Sequence, residues 1–197
     1  MVEIVLVRHA TTDWSGARYS GVSDPPLSAA GRLEADRLAE MLARMIEPDT
    51  RVVSSPLRRA LATAGPIAAA LGTGRVDIDA RWREADFGIA EGRTFDELTV
   101  LAPEVATAIV GGAGGVDWPG GETHASLADR VATAWRTLVD GARGIVVVTH
   151  AGPLMHARAL AEGRPIRATD LVPPAAAIRF QVMPEGLFSV SVLPSRP

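Results

Sequence analysis

The stretch IVLVRHATTDWS, residues 4–15, decides the fold, because an apolar run ends abruptly in two basic side chains. Residues 4–7 are all branched apolar residues, which is typical of a strand buried on both faces of a sheet. Arg8 and His9 follow directly, and neither polar head group can be buried without a partner. The stretch therefore predicts a buried first strand that delivers a basic pair to one point at its carboxyl end.

Composition places this strand in an ordinary globular protein. At 197 residues, the chain is long enough for one domain (residues 1–197) with a sizeable core. It has no cysteine, so thiolate nucleophiles, thiolate zinc sites and disulfides are excluded. The residues before the first strand show no basic region, apolar region and cleavage site, so we expect no secretory leader. No apolar stretch reaches the roughly 18–20 residues of a membrane span. We expect a cytoplasmic protein with no membrane association.

The charges argue against a nucleic-acid partner. The net charge is -3 and the basic residues are scattered along the chain instead of forming a stripe. All 20 basic residues are arginine, which codon bias in a GC-rich genome would explain. Any anion site must nevertheless be built from guanidinium groups, whose planar forks suit phosphate.

Strands and helices alternate along the chain, which predicts an α/β fold: a three-layer α/β/α sandwich around a mainly parallel sheet. Residues 88–122 are the least regular part and form a predicted insert. The predicted strands are 3–7, 51–54, 75–78 and 145–148, followed by a hairpin of 176–182 and 187–193 around Pro184-Glu185-Gly186. The predicted helices run from the N-cap Ser28 to about 46, from Pro56 to about 71, around 103–110, from 123 to 139 and from Gly152 to about 162.

Polar side chains follow three of the strands, at the point where each strand ends. They are Arg8-His9, Arg58-Arg59 and His150-Ala151-Gly152. Because the carboxyl ends of parallel strands meet at one edge of a sheet, we expect these groups to converge there. A single histidine beside a strand is more often structural, and paired arginines on a helix are usually solvated. The repetition at strand ends instead favours a site for an oxygen-rich dianion such as phosphate.

Six short motifs resemble, in order, those of the histidine phosphatase superfamily, also called the phosphoglycerate mutase-like family. The resemblance covers about residues 3–160 and implies the family's three-layer fold, with the insert at about 88–122 serving as a substrate lid. The motifs are VRHATTDW (7–14), GVSDPPLSAAG (21–31), SSPLRRALATA (54–64), RWREADFGIAEG (81–92), PGGET (119–123) and VVVTHAG (146–152).

The resemblance assigns a role to each catalytic residue. His9 matches the nucleophile that takes the phosphoryl group as phosphohistidine, and Arg8 matches the arginine that grips the phosphate beside it. His150 matches the second histidine, which stabilises the transferring group. Glu84 matches the proton donor of the phosphatase branch; without the resemblance it would pass for a surface carboxylate. The catalytic arginine of the family directly precedes an alanine, so Arg59 is assigned.

Other positions match substrate contacts of the family, and some depart from its usual residues. Arg58 occupies a variable place and is expected outside the site. Ala10 stands where the family usually has glycine. The matching substrate-binding positions are Thr12, Ser15 (where many members have asparagine), Arg18, Ser20 (where many phosphatases have glutamine), Gly21 and Ala151 (commonly glycine).

The chemistry of phosphoryl transfer explains these residue types. A histidine nucleophile presents an unprotonated nitrogen, so His9 needs a partner on its other ring nitrogen. Arginines and a protonated His150 would neutralise the charge on the phosphoryl oxygens. Glu84, with its pKa raised by apolar surroundings, would protonate the leaving alcohol and then activate water. We expect no metal, because the arginines and His150 supply the positive charge, and His156, six residues after His150 along a predicted helix, lacks a carboxylate at ligand spacing. No cofactor is expected either.

The sequence thus predicts a phosphomonoester hydrolase whose partner is a small-molecule phosphate ester, acting as a monomer or homodimer. A cofactor-dependent mutase is the first alternative, but the lid segment 99–118 contains no arginine to hold a second acidic group. The second alternative is a catalytically silent phospholigand binder, which would normally have lost His9 or Glu84. The loop 16–28 resembles that of α-ribazole phosphatases and of broad-specificity members, and the sequence does not choose between them.

Overall fold

A computed structural model describes residues 2–112, 115–141, 144–182 and 188–193. Strands and helices alternate through most of these ranges. The strands are β1 (Val2–Arg8), β2 (Arg51–Ser54), β3 (Val76–Ile78), β4 (Ile145–Thr149), β5 (Ala177–Val182) and β6 (Phe188–Leu193). The helices are α1 (Ala29–Ala43), α2 (Arg58–Ala70), α3 (Phe95–Leu101), α4 (Pro103–Val110), α5 (His124–Asp140) and α6 (Ala151–Ala161). None of the helices in the described ranges is both long enough and apolar enough to cross a membrane.

The strands form one sheet in the order β3-β2-β4-β1-β5-β6. Strands β1 to β4 are mutually parallel, and β5 and β6 are added antiparallel at one side. The register pairs Arg8 at the end of β1 with Thr149 at the end of β4, so the residues after both strands emerge side by side. The mainly parallel α/β sheet predicted from the sequence is confirmed.

Helices cover both faces of the sheet, which explains the continuous apolar run in β1. Val5 and Val7 pack with α1 and α2 on one face. Ile4 and Leu6 point to the other face and pack with α5 and α6. All four side chains are fully buried, so β1 is held rigidly from both sides up to the point where Arg8 leaves it.

Several element boundaries differ from those predicted. Helix α2 begins at Arg58 and not at Pro56, because the backbone of Leu57 is extended (φ -71°, ψ 136°). The Asp24 carboxylate, from a distant loop, accepts the N–H of Arg58 at 2.6 Å and so caps the helix. Helix α1 ends at Ala43, short of the predicted 46, while its N-cap Ser28 is as predicted. The terminal hairpin strands are present; their predicted turn at 184–186 lies outside the described residues.

The insert contains one helix that the sequence reading missed. Helix α3 starts with a capping box in which the Thr94 hydroxyl accepts the N–H of Glu97 and the Glu97 carboxylate accepts the N–H of Thr94. That T-x-x-E pattern was a usable signal for a helix start. Helices α3 and α4 enclose a small apolar cluster of their own, built on Leu98 and Val105.

Candidate active site

Three elements bring two histidines and an arginine to one buried point at the carboxyl edge of the sheet. His9 follows β1, His150 follows β4, and Arg59 lies in the first turn of α2. Nε of Arg59 lies 3.3 Å from Nε2 of His9, and the rings of His9 and His150 are 5.0 Å apart between centroids. No more than 6% of the surface of any of the three is exposed. The convergence expected from the strand ends is therefore present.

The protonation state of His9 follows from its neighbours. Its Nδ1 lies 2.8 Å from the carbonyl oxygen of Ala10, which can only accept, so Nδ1 carries the proton. Burial, reinforced by the positive charge of Arg59, lowers the pKa of His9 to about 3. At neutral pH the ring is uncharged and Nε2 carries the lone pair that a nucleophile requires. The partner expected for the other ring nitrogen is thus the backbone carbonyl of Ala10.

Backbone carbonyls hold the guanidinium of Arg59 in place. Nη2 donates to the carbonyl oxygens of Ser20 (3.1 Å) and Gly21 (2.7 Å), and Nη1 donates to that of Ser23 (2.7 Å). Nη1 also lies 3.3 Å from the carboxylate of Asp24, which forms an ion pair with it. Because both Nη atoms are hydrogen-bonded to the loop, the guanidinium is held with its Nε directed at His9.

Arg8 forms a second cationic wall. Its Nη1 donates to the carbonyl of Val172 at 2.6 Å, which ties the side chain to the loop before β5. Its Nε is buried and has no hydrogen-bond partner among the described residues. Burial lowers the pKa of Arg8 below its usual value, but an arginine retains its charge at neutral pH. Arg8 thus offers a fixed donor beside the nucleophile.

His150 is held by Ser55, a residue to which the sequence analysis gave no role. Nε2 of His150 lies 2.7 Å from the Ser55 hydroxyl, while Nδ1 is buried without a partner among the described residues. Burial and the nearby positive charges lower the pKa of His150 well below its usual range. The ring is therefore neutral in the free protein; the protonated His150 expected from the sequence belongs to the phosphate-bound site and stays a prediction. A neutral ring still donates from Nδ1 if the Ser55 hydroxyl donates to Nε2.

Glu84 is a buried carboxyl group close to the charges of Arg59 and Arg8. Its two oxygens accept the backbone N–H groups of Ala85 (3.0 Å) and Gly152 (3.2 Å). Burial raises its pKa above the usual value, against the lowering effect of these hydrogen bonds and of the two arginines. A carboxyl group with a raised pKa is suited to give and take a proton near neutral pH.

The backbone that carries Glu84 is braced by Arg130. Its guanidinium donates to the carbonyls of Arg81 (2.8 Å), Arg83 (2.7 Å) and Glu84 (3.1 Å), and it pairs with both oxygens of Glu122 at 2.8 Å. Glu122 lies in the PGGET motif quoted above, but its role could not be assigned without the partner on α5. This brace fixes the position of Glu84 against the helix.

The structure places the predicted substrate-binding residues in different surroundings. Ser20 and Gly21 hold Arg59 through their carbonyls, and Ala151 directly follows His150 at the start of α6. Thr12 and Ser15 hydrogen-bond each other through their hydroxyls at 3.1 Å in the loop after β1.

Arg18 is not brought to the cluster. Its side chain donates to the carbonyl of Gly92 at 2.7 Å and lies 3.7 Å from the carboxylate of Glu97, so it links the loop to the lid. Arg58 is exposed, as expected for a residue outside the site.

No metal-ligand cluster accompanies the site within the described ranges: nowhere there do three or more His, Asp or Glu side chains gather as a ligand set. His156 pairs instead with His124, whose Nδ1 lies 3.3 Å from its Nε2. A cavity of about 880 Å³ lies at the opposite edge of the sheet, between Arg51, Ile78 and Gly144, and includes none of the clustered residues.

Comparison with known proteins agrees with this geometry. The family model for the histidine phosphatase superfamily (branch 1) matches residues 4–188. The phosphoglycerate mutase-like protein 4 of Arabidopsis thaliana is 40% identical over 154 residues, which are 76% of this chain and 66% of that protein. The probable phosphoglycerate mutase GpmB of Salmonella paratyphi C is 36% identical over 151 residues, 75% of this chain and 69% of that protein. The chain thus spans about two thirds of the length of these relatives.

Solved structures with the same fold include phosphatases. The mycobacterial glucosyl-3-phosphoglycerate phosphatase superimposes with a TM-score of 0.84 at 27% identity, covering 100% of both chains. A putative alpha-ribazole-5'-P phosphatase from Escherichia coli gives a TM-score of 0.81 at 25% identity, covering 99% of this chain and 97% of that one. The family match over nearly the whole chain and the buried cluster around His9 lead to one conclusion: this protein belongs to the histidine phosphatase superfamily.

Proposed function

We propose that this chain is a phosphomonoester hydrolase that works through a phosphohistidine on His9 without a metal ion or cofactor. The observation that carries the proposal is the pairing of a neutral His9 Nε2 with the buried guanidinium of Arg59 at 3.3 Å. A neutral Nε2 beside a fixed cation suits attack on a phosphate dianion, once the phosphate oxygens replace Nε2 as the acceptor of the Arg59 N–H.

In the first half-reaction, Nε2 of His9 attacks the phosphorus and the ester P–O bond breaks. The departing alkoxide takes the proton of the Glu84 carboxyl group. In the second half-reaction, the Glu84 carboxylate removes a proton from water, the water oxygen attacks the phosphorus, and the N–P bond breaks. His9 and a protonated Glu84 are regenerated, and inorganic phosphate leaves.

Three fixed donors would meet the phosphoryl oxygens. The guanidinium groups of Arg8 and Arg59 carry the positive charge, and His150 adds a neutral donor from Nδ1. The Nε of Arg8 and the Nδ1 of His150 are buried polar atoms without a partner among the described residues, and an anion would satisfy both. Since the two arginines supply the positive charge that neutralises the phosphoryl oxygens, we propose no metal ion for this role.

The substrate we propose is a small phosphate ester with a neutral or apolar leaving group. Phe87 lies three residues after Glu84 in the chain, and its ring centroid is 4.2 Å from that of Trp118, so aromatic side chains follow the acid in this segment. Residues 99–118 carry no basic side chain that could bind a second anionic group. We further propose a cytoplasmic location and a monomeric or homodimeric state.

A mutase is the second candidate, because two of the relatives named above carry phosphoglycerate mutase names. The lid argues against it, since 3-phosphoglycerate and a bisphosphorylated cofactor both present an additional negative group. Conversion of 3-phosphoglycerate to 2-phosphoglycerate that depends on added 2,3-bisphosphoglycerate would establish the mutase instead.

The test is hydrolysis of p-nitrophenyl phosphate by purified protein in the presence of a chelator. We expect phosphate release by the wild type, a loss of at least about 10³-fold in His9→Ala, and phosphohistidine at His9 after rapid quench. His124→Ala is the matched control, because this histidine lies outside the cluster, and it should retain activity. Full activity in His9→Ala would refute the proposal, and phosphate binding without turnover would support a silent binder.

A further inference from the structure

The side chain of Glu91 accepts four backbone N–H groups from two separate segments. Oε1 receives the N–H groups of Val22 (2.8 Å) and Phe87 (3.0 Å), and Oε2 receives those of Ser23 (3.0 Å) and Gly21 (3.2 Å). One carboxylate thus ties the loop at 21–23 to the segment that follows Glu84. The sequence analysis gave this residue no role.

The same loop holds the catalytic arginine from its other side. While its N–H groups point to Glu91, the carbonyls of Ser20, Gly21 and Ser23 accept hydrogen bonds from Arg59. The loop is therefore held between a carboxylate and a guanidinium, and a change at Glu91 reaches Arg59 through the peptide groups between them.

Gly21 shows how closely the two segments approach. A Cβ atom at this position would lie 2.2 Å from the carbonyl oxygen of Ala85, 2.3 Å from Oε1 of Glu91 and 2.8 Å from the backbone nitrogen of Phe87. These distances are too short for any side chain, so only glycine allows the contact. The loop cannot move nearer to the 85–87 segment, and the carboxylate prevents it from moving away.

We propose that Glu91 is a positioning residue for Arg59: its carboxylate fixes the loop whose carbonyls aim the guanidinium at His9 and at the substrate phosphate. The inference rests on the proposed function. A carboxylate is suited to this place because it only accepts hydrogen bonds, whereas the amide of glutamine would turn its own N–H groups toward at least one of the four donors. Hydrogen bonds to an ionised acceptor are also the stronger ones.

The test compares Glu91→Gln with the wild type for the KM and kcat of p-nitrophenyl phosphate and the Kd of inorganic phosphate. We expect phosphate binding to weaken and kcat/KM to fall by roughly tenfold or more each. Glu104→Gln, an exposed carboxylate in the lid helix α4, is the matched control and should change neither. Leu138→Ala, a core truncation at the far end of α5, should lower Tm and leave the Kd of phosphate unchanged, which separates lost stability from lost positioning.

A double-mutant cycle decides whether Glu91 acts through the arginine. With lysine at position 59, the carbonyls of the loop no longer hold a guanidinium fork, so Glu91→Gln should add little to the effect of Arg59→Lys. Fully additive effects, or an unchanged Kd in Glu91→Gln, would overturn the inference. If Glu91→Gln does not fold, Glu91→Asp, which keeps the carboxylate on a side chain one methylene shorter, cannot reach both segments and should weaken phosphate binding in the same way.

Amide hydrogen exchange keeps this inference separate from the proposed function. Glu91→Gln should speed exchange at the amides of Gly21, Val22, Ser23 and Phe87, whether or not the protein is a phosphatase. A wild type that neither hydrolyses esters nor binds phosphate would refute the proposed function. An active wild type with unchanged kinetics, phosphate binding and amide protection in Glu91→Gln would refute only the role of Glu91.

Discussion

Arg59 and His9 meet through one hydrogen bond, in which Nε of the arginine lies 3.3 Å from Nε2 of the histidine. The cation therefore touches the atom that we assign as the nucleophile, and together with burial it lowers the pKa of that histidine to about 3. A phosphoryl group that reaches Nε2 would take over the N–H of Arg59, which frees the lone pair of Nε2 for attack. The arrangement is pre-formed by two buried residues: His9, directly after β1, and Arg59, in the first turn of α2.

The fork of Arg59 is the feature that lysine cannot reproduce. Arg59→Lys retains a positive charge but loses the hydrogen bonds to the three loop carbonyls and the directed Nε. We expect kcat/KM for p-nitrophenyl phosphate to fall by roughly 10²- to 10³-fold, as for the loss of one fixed donor to a transition state. Arg58→Lys changes the adjacent exposed residue in the same way and should retain activity. Equal activities of the two variants would contradict the role of Arg59.

Ser55 orients His150, and its neighbour Ser54 provides a control. Both serines are fully buried, but the Ser54 hydroxyl donates to the backbone carbonyl of Ser55. Ser55→Ala should lower kcat by roughly tenfold or more, because a hydrogen bond that fixes the donor nitrogen of His150 is lost. Ser55→Thr, which retains the hydroxyl, should recover part of the rate. The outcome that would contradict this role is a larger loss of kcat in Ser54→Ala than in Ser55→Ala.

The lowered pKa of His9 makes the fold sensitive to acid. Below about pH 6.5 the unfolded chain protonates this histidine while the folded protein does not, until the pH approaches 3. The stability that a neutral His9 contributes is therefore complete above pH 6.5 and is lost as the pH falls, by about 1.4 kcal/mol per pH unit. Burial lowers the pKa values of His150 and His156 in the same direction.

Urea unfolding of the wild type and His9→Asn between pH 7 and 5 measures this effect. The free energy of unfolding of the wild type should fall more steeply, and relative to that of His9→Asn it should fall by about 2 kcal/mol between pH 6.5 and 5. Leu138→Ala, which changes no titratable group, should give a curve parallel to that of the wild type. Parallel curves for the wild type and His9→Asn would show that His9 titrates normally in the fold.

The parts of the molecule that the sequence predicted well are those with a local signal. The apolar run of β1, the N-cap Ser28 and the basic pair Arg8-His9 are all legible over a few residues, and the motifs around them supplied the family. The capping box of Thr94 and Glu97 is an equally local signal, and it marks the start of α3 within four residues.

The supporting residues of the site carry no such local signal. Ser54 and Ser55 are adjacent and chemically identical, and only the fold shows that the second one meets His150, 95 positions further along the chain. Glu91 resembles any carboxylate of a polar loop until the loop at 21–23 is placed over it. These contacts depend on tertiary packing, which sequence periodicity does not encode.

Gly31 permits the loop after His9 to lie against α1, and this contact can be tested directly. A Cβ atom on Gly31 would lie 1.9 Å from the carbonyl oxygen and 2.9 Å from the carbonyl carbon of Thr11, both backbone atoms. Gly31→Ala must therefore displace either the helix or the loop, and we expect the free energy of unfolding to fall by about 1–3 kcal/mol. Because Thr11 is two residues from the nucleophile, kcat should fall as well.

Gly65 in α2 provides the comparison, since a Cβ there meets nothing within 4 Å beyond its own helix and chain neighbours. In Gly65→Ala, the gain in helix propensity is opposed by the strain of an alanine before Pro66, so the free energy of unfolding should change by less than about 1 kcal/mol. Urea unfolding and p-nitrophenyl phosphate turnover of both variants make the comparison. A Gly31→Ala protein as stable and active as Gly65→Ala would show that the loop adjusts freely, and the rigid delivery of His9 by β1 and α1 would then be wrong.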